Sequence, residues 1–188
     1  MKVVGIVGSA RKKGNTEYLT SYTLDAIAAE GLETELIPLA GKDIRPCSAC
    51  MACQKEETCG IKDDLLPIYF KMKEADGIIM SSPVYVGSMT GLMRSFMERT
   101  GFIAVWNNAP FSGKVGGPMV VARRAGAVST FSAMTLWFQL RGMVVPGSTY
   151  WNIAFGLERG DVQKDTEGMK AAYNFGKNMA YVIKKLKA

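Results

Sequence analysis

The chain opens on a short apolar run, Val3-Val4-Gly5-Ile6-Val7, rich in β-branched residues and stopped by Gly8-Ser9, the pattern of a strand buried on both faces. From Asn15 to Glu30 the spacing turns helical, with Leu19, Thr23, Ala26 and Ile27 on one stripe and Gly31 placed to end it. A second strand is expected near Glu33 to Leu39. The rhythm then breaks from Ala40 to Lys62, a long stretch without strand or helix period, of the kind that is usually functional in a compact domain. Beyond it Asp63 or Asp64 can cap a helix running to about Glu74, and Gly77 to Ser81 reads as a third buried strand. The pattern next predicts a helix from about Thr90 to Thr100, a connection rich in aromatic and Asn residues from Phe102 to Gly113, and a fourth strand over Val115 to Val121. A helix over Val128 to Arg141 and a fifth strand within Met143 to Tyr150 follow. Met169, Ala172, Tyr173, Gly176, Ala180 and Ile183 mark a last amphipathic helix. Strands alternating with helices of these lengths imply a doubly wound α/β sheet, and 188 residues are expected to form one domain.

Composition narrows the chemistry. The chain has no histidine, so imidazole acid–base catalysis, His-containing triads and His-ligated zinc or haem are excluded. A net charge of +6 raises the question of nucleic acid, but the cations are scattered or gathered in the last helix at Lys184, Lys185 and Lys187. A solvated basic face that attracts an acidic partner is the expectation, with no nucleic-acid or membrane partner. No apolar run approaches the roughly 18 residues of a transmembrane helix, and the first residues enter a strand instead of a signal peptide, so a cytoplasmic location is expected.

The first strand runs into Gly8-Ser9-Ala10-Arg11-Lys12-Lys13-Gly14-Asn15-Thr16 and then a helix, which aims backbone N–H groups at one spot and attracts an anion there. The segment is neither a P-loop nor a dinucleotide turn. Ser9, Asn15 and Thr16 offer hydrogen bonds, and Arg11 a charge-assisted fork for a terminal phosphate; a tight turn at Gly8 and Gly14 followed by a capped helix would use the same residues. Gly-Ser-x-Arg-x-x-Gly-Asn-Thr resembles the FMN phosphate loop of the NAD(P)H-dependent FMN reductases, which have the flavodoxin-like fold. Ser82-Pro83-Val84-Tyr85-Val86-Gly87 is similar to the family segment that runs along the flavin ring. Ala122-Arg123-Arg124-Ala125-Gly126 resembles the loop that closes the other side, with Ala122 where members often have Gly. The resemblance implies FMN, held by Ser9, Arg11, Gly14, Asn15, Thr16, Ser82, Pro83, Val84, Tyr85, Gly87, Ala122, Arg123, Arg124 and Gly126. It also implies a five-stranded parallel sheet of order 2-1-3-4-5, whose ligand crevice lies at the carboxyl ends of the strands where the order reverses.

Inside the irregular stretch stand all four cysteines, as Cys47-x2-Cys50-x2-Cys53-x5-Cys59. Three thiols at successive steps of three suit a loop wrapped round a [4Fe–4S] cluster better than zinc, whose sites usually pair two separated knuckles; zinc and a metal-free redox motif remain alternatives. Small residues Ser48, Ala49 and Ala52 would let the loop fold closely and leave N–H groups for the sulfurs. This motif after the second strand of such a chain resembles the iron–sulfur flavoproteins. The resemblance implies an oligomer, a homodimer or homotetramer, carrying FMN and [4Fe–4S] and fed by ferredoxin, with NAD(P)H as the other possible donor. Oxygen, peroxide or a quinone would be the small acceptor. In the order 2-1-3-4-5 the cysteine loop starts at the sheet edge, about 10–15 Å to the side of the flavin ring at about 4.8 Å per strand. That separation predicts a cluster that serves the flavin of a neighbouring subunit, with the Phe102 to Phe111 connection and its Trp106 at the interface. No side chain stands out as a catalytic acid or base; the chemistry is expected to reside on the cofactors. The rival readings are an FMN or quinone reductase without a working cluster, a zinc-stapled binding module, and a small electron carrier.

Overall fold

The computed structural model describes residues 1–188. In chain order its elements are β1 (Lys2–Val7), α1 (Asn15–Ala29), β2 (Glu33–Pro38), α2 (Leu65–Glu74), β3 (Gly77–Tyr85), β4 (Ser88–Met89), α3 (Gly91–Trp106), β5 (Val115–Ala122), α4 (Ala127–Leu140), β6 (Ile153–Phe155) and α5 (Thr166–Lys187). The sheet has 6 strands in the order β2-β1-β3-β5-β6, all parallel along that path, with β4 folded back antiparallel on β3. Side chains alternate between two cores, as a sheet covered on both faces requires. Val4 and Ile6 of β1 face the core shared with Met72, Phe96 and Phe138 under α2, α3 and α4. Val3 and Ile79 face the core of Leu19, Phe175 and Met179 under α1 and α5.

The fold is the expected α/β sheet with three local differences. Counting only the parallel path restores the order 2-1-3-4-5; the sixth strand exists because β3 runs past Ser81 to Tyr85 and turns back as β4. The fifth parallel strand is displaced. Only Val144 bridges to Val115 within Met143 to Tyr150, and the ladder resumes at Ile153 opposite Val120. The chain takes nine steps from Val144 to Ile153 where β5 takes five from Val115 to Val120, so the surplus must leave the sheet; Pro146, which has no N–H to donate, lies in that excursion. Third, α3 continues six residues beyond Thr100, through Gly101. A Cβ on Gly101 would stand 2.9 Å from the Trp137 ring nitrogen, which donates to the Met97 carbonyl at 2.7 Å. Glycine is there for the close approach of α4 and does not end the helix. Of the aromatics expected in a connection after Thr100, Phe111 is fully buried while Phe102 and Trp106 are exposed on α3.

The strand ends that frame the crevice are stitched by hydroxyls. Gly8 donates its N–H to the Ser81 carbonyl at 2.8 Å, and Thr90 caps α3 through its Oγ1 while donating to the Gly8 carbonyl at 2.6 Å. Ser82 Oγ accepts from the Thr90 N–H at 3.1 Å. Beyond Tyr85 the hairpin turn places Val86 and Gly87 at φ 50° and 77°. Both central residues of such a turn need positive φ, which suits Gly87 and strains a β-branched, fully exposed Val86. Val86→Asn should therefore raise the stability measured by denaturant unfolding by about 1 kcal/mol, the lower end of the cost of a left-handed backbone for an ordinary L-residue; an unchanged midpoint would show that the strain is relieved elsewhere.

Candidate functional site

Two recesses carry the chemistry, and they share no lining residue. The first lies at the carboxyl ends of β1, β3 and β5. It is lined by Ser9, Arg11, Gly14, Asn15 and Thr16 below, Pro83, Val84 and Tyr85 on one wall, and Val121 and Arg123 opposite. Helix α1 begins there at Gly14 without a side-chain cap, so its first N–H groups have no side-chain oxygen to satisfy them. Those groups, together with Arg11, form a cradle fitted to a phosphate. Ser9 Oγ accepts from the Arg11 N–H at 3.1 Å, which sets the bend of the loop.

Five residues named from the sequence do not line this recess, each for a visible reason. Ser82 turns inward to Thr90 and the Pro83 carbonyl. Ala122 is buried at the end of β5, and Arg124 points to solvent. Gly87 and Gly126 bring the two ring-side loops together: a Cβ on Gly126, itself at φ 81°, would stand 2.9 Å from Gly87 Cα. These glycines set the width of the crevice from behind its walls. Gly156, Leu157 and Arg159, in the loop after β6, line the recess without having been anticipated, since displacement of the fifth strand moved that loop into place.

Asn15 explains how the loop is held. Its Nδ2 donates to the Glu158 carbonyl at 2.8 Å, and its Oδ1 accepts from the Gly160 N–H at 2.8 Å. Arg11 adds a contact to the Leu157 carbonyl at 3.4 Å. A Cβ on Gly156 would meet Asn15 Nδ2 at 2.8 Å, so only glycine fits beneath the clasp. Asn15 thus joins the turn after β1 to the loop after β6.

The second recess is formed by the segment between β2 and α2 as it folds onto α3. Its neck is closed by backbone and carboxylate: Asp43 N–H to Asp64 Oδ2 at 2.8 Å, Arg45 N–H to Asp63 Oδ2 at 3.0 Å, and Asp64 N–H to the Asp43 carbonyl at 3.0 Å. A short 3₁₀ turn at Ala52–Gln54 follows Met51, and Asn107, just past the end of α3, donates to the Cys53 carbonyl at 3.0 Å. Ala49 and Met51 both have positive φ, 53° and 58°, strain of a kind that clusters at functional loops. All four cysteines line this cavity of about 200 Å³, with Glu98, Arg99, Phe102 and Ile103 of α3 as its far wall. No three of the chain's Cys, Asp and Glu side chains converge on one point in a way that would hold a single ion. The thiols surround a space instead, one well beyond the roughly 10–15 Å³ that a water-sized body needs.

The thiols differ. N–H from Ala52 and the Ser48 hydroxyl hold the exposed Cys50 below the ordinary thiol range, whereas burial, reinforced by the neighbouring thiolates, pushes Cys53 up. Gly60 makes room for the Cys50 sulfur, since a Cβ there would stand 2.8 Å from it. Cys59 is the buried one, and Arg99 donates to its sulfur at 3.1 Å. Burial works against the Arg99 charge, but hydrogen bonds to Asp63 and Cys59 outweigh it and hold the guanidinium above its usual range. The corresponding bond from Arg99 overcomes burial at Asp63 and keeps that carboxyl ionised below the usual carboxylate range. Arg99 was not anticipated from the sequence; one arginine in an amphipathic helix reads as a solvent residue.

The two-sided clasp on the loop after β6 gives a direct expectation. Asn15→Ala removes two hydrogen bonds and leaves the Gly160 N–H without its partner, which should cost about 1–3 kcal/mol in unfolding free energy and speed hydrogen exchange across residues 156–160. Unchanged exchange there would mean that the loop is held by something else.

Set against known proteins, residues 1–158 match the family model described as NADPH-dependent FMN reductase. An iron–sulfur flavoprotein of Methanocaldococcus jannaschii is 40% identical over 100% of both chains. One from Methanosarcina thermophila is 33% identical over 97% of this chain and 95% of its own. Among solved structures, a flavodoxin, WrbA-like protein from Agrobacterium tumefaciens superposes with a TM-score of 0.69 at 16% identity, covering 98% of each chain, a likeness of fold. An uncapped helix end facing a cation-lined crevice and four cysteines round a second recess are what such relatives lead one to look for, and this chain belongs to the NADPH-dependent FMN reductase family as one of its iron–sulfur flavoproteins, a flavin-dependent oxidoreductase of flavodoxin-like fold.

Proposed function

We propose that the protein is a cytoplasmic two-centre electron-transfer enzyme that holds FMN in the first recess and a [4Fe–4S] cluster in the second. It takes electrons from ferredoxin or NAD(P)H and passes them to oxygen, peroxide or a quinone. The observation that carries this reading is the second recess: four cysteines from one short segment line a cavity larger than one ion needs. Bound there, a cluster supplies one-electron exchange, and FMN in the first recess supplies interchange between one- and two-electron steps.

The chain's own residues have distinct tasks. Arg11 and the open α1 N-terminus bind the phosphate; Pro83, Val84 and Tyr85, with Arg123 opposite, orient the ring. Cys47, Cys50, Cys53 and Cys59 are the metal ligands, and the closed neck presents them together. On α3 the cysteine wall begins at Glu98, about 12 Å along the axis from the capped start at Thr90 beside Gly8. The two centres are thus set apart within one chain, and we assign their electron exchange to a contact between subunits. Phe102, Val105, Trp106, Leu136 and Leu140 are all exposed large apolar residues on α3 and α4, and Met51 is exposed in the cysteine loop. Val105 and Leu140 line one groove, and Phe102 also lines the cysteine recess, so this face adjoins the thiols. A second copy covering it makes the homodimer, or half of a homotetramer.

Iron, sulfide and flavin analysis of anaerobically prepared protein should give a full cluster and one FMN per chain in a sample that sediments as a dimer or tetramer. One zinc and no flavin would select a zinc-stapled module. Flavin without iron, bleached rapidly by NAD(P)H, would leave a plain FMN reductase. A monomer with rapid cluster-to-flavin transfer would defeat the subunit relay. In the same protein, Arg11→Ala should weaken FMN binding roughly 10- to 150-fold, the worth of a hydrogen bond to a charged group at about 1.5–3 kcal/mol, when followed by flavin fluorescence. An affinity equal to wild type would place the phosphate elsewhere.

A further inference from the structure

Arg99 has an environment that packing does not explain. It is only 1% exposed, and its partner Asp63 has a side chain 1% exposed. One guanidinium nitrogen meets Asp63 Oδ2 at 2.5 Å and the Arg45 carbonyl at 2.9 Å. The other meets Asp63 Oδ1 at 3.0 Å, the Ile61 carbonyl at 3.4 Å and the Cys59 sulfur at 3.1 Å. Nε is buried without any partner. A buried ion pair with an orphan N–H is no better for stability than apolar residues of the same size, so the arrangement calls for another role.

The contacts fall on both strands of the neck, Arg45 on the way in and Ile61 and Asp63 on the way out, so a single residue of α3 closes the loop at its base. They also single out one thiol. Hydrogen bonds to Cys47 and Cys50 come from backbone N–H and the Ser48 hydroxyl, whereas buried Cys59 receives an N–H of the Asp63-paired guanidinium. Glu98 lines the same recess but is exposed, where water screens its charge.

We infer that Arg99 is a positioning residue which fixes Cys59 against α3 and raises the reduction potential of the group held by the four cysteines. The inference rests on the cluster reading above. A cation and an N–H donor at a ligand sulfur favour the more negative, reduced state of a cluster, and hydrogen bonds to sulfur, net charge and solvent exposure are the levers that set such potentials. Asp63 offsets part of the charge, its Oδ1 sharing with the Cys59 sulfur the same guanidinium nitrogen. Its part is to aim the guanidinium, through the bidentate geometry that arginine and carboxylate share.

The test is an EPR-monitored redox titration of the anaerobically prepared, iron-loaded protein against Arg99→Met combined with Asp63→Asn, which removes both charges so that no lone ion stays buried. The paired variant should keep its iron and its FMN, while its reduction equilibrium shifts about tenfold toward the oxidised cluster, or about 59 mV lower for one electron. Arg99→Lys, which keeps the charge and loses the fork, should fall between the two. Should the paired variant lose its iron, Arg99→Lys decides the matter: a lowered potential supports the role, and the wild-type value overturns it. A loaded paired variant with the wild-type potential also overturns it while leaving the cluster in place. Wild-type protein that binds no iron removes the cluster reading and this inference with it.

Discussion

The pairing of β1 with β3 is the constraint from which the crevice at the strand ends follows. The two strands lie side by side and parallel, yet α1 leaves β1 on one face of the sheet and α3 follows β3 on the other. The chain therefore parts above the junction, and a crevice opens where an uncapped helix N-terminus faces a wall of Pro83, Val84 and Tyr85. The stitches among Gly8, Ser81, Ser82 and Thr90 keep that junction rigid, and they explain why hydroxyls sit deep in an otherwise apolar strand end. A buried hydroxyl without such a partner would cost more than it contributes.

Much of this was legible in the sequence because it rests on local signals. A β-branched run followed by Gly-Ser, and a helix stripe starting at Asn15, are both properties of a few adjacent residues. Legibility failed where distant segments decide. The helix expected to reach Thr100 runs on through Gly101, where Trp137 lies over the glycine. Met143 to Tyr150 has the composition of a strand, but a strand needs a continuous partner, and the extra chain around Pro146 carries the ladder on to Ile153. The same displacement delivers Gly156, Leu157 and Arg159 to the first recess, which no motif near Gly8 could announce. Asn15 drew notice as a residue of the turn, but its clasp could not be seen, because its partners are more than 140 residues away.

The cysteine segment shows the division in one place. The spacing of Cys47, Cys50, Cys53 and Cys59 is visible at once, whereas the wall they face belongs to α3 and contains the buried Arg99. The loop begins at the edge strand, as topology requires, but it does not stay at the edge; it reaches across to the helix that follows β3. The lateral distance inferred from strand count therefore describes only where the segment starts. What keeps the two recesses distinct is their separation along α3 and their lack of any shared wall, and the apolar surface from Phe102 to Leu140 gives the cysteine side a face that a second subunit can cover.

The central claim is that one chain carries a flavin and a multi-iron group in these two recesses. A crystal structure of anaerobically prepared protein, with anomalous data collected at the iron edge, tests it most directly. The expected result is an anomalous peak enclosed by Cys47, Cys50, Cys53 and Cys59 beside Arg99, and flavin density whose phosphate lies at the start of α1. A single ion among the cysteines, iron bound elsewhere, or an empty crevice above β1 and β3 would contradict it.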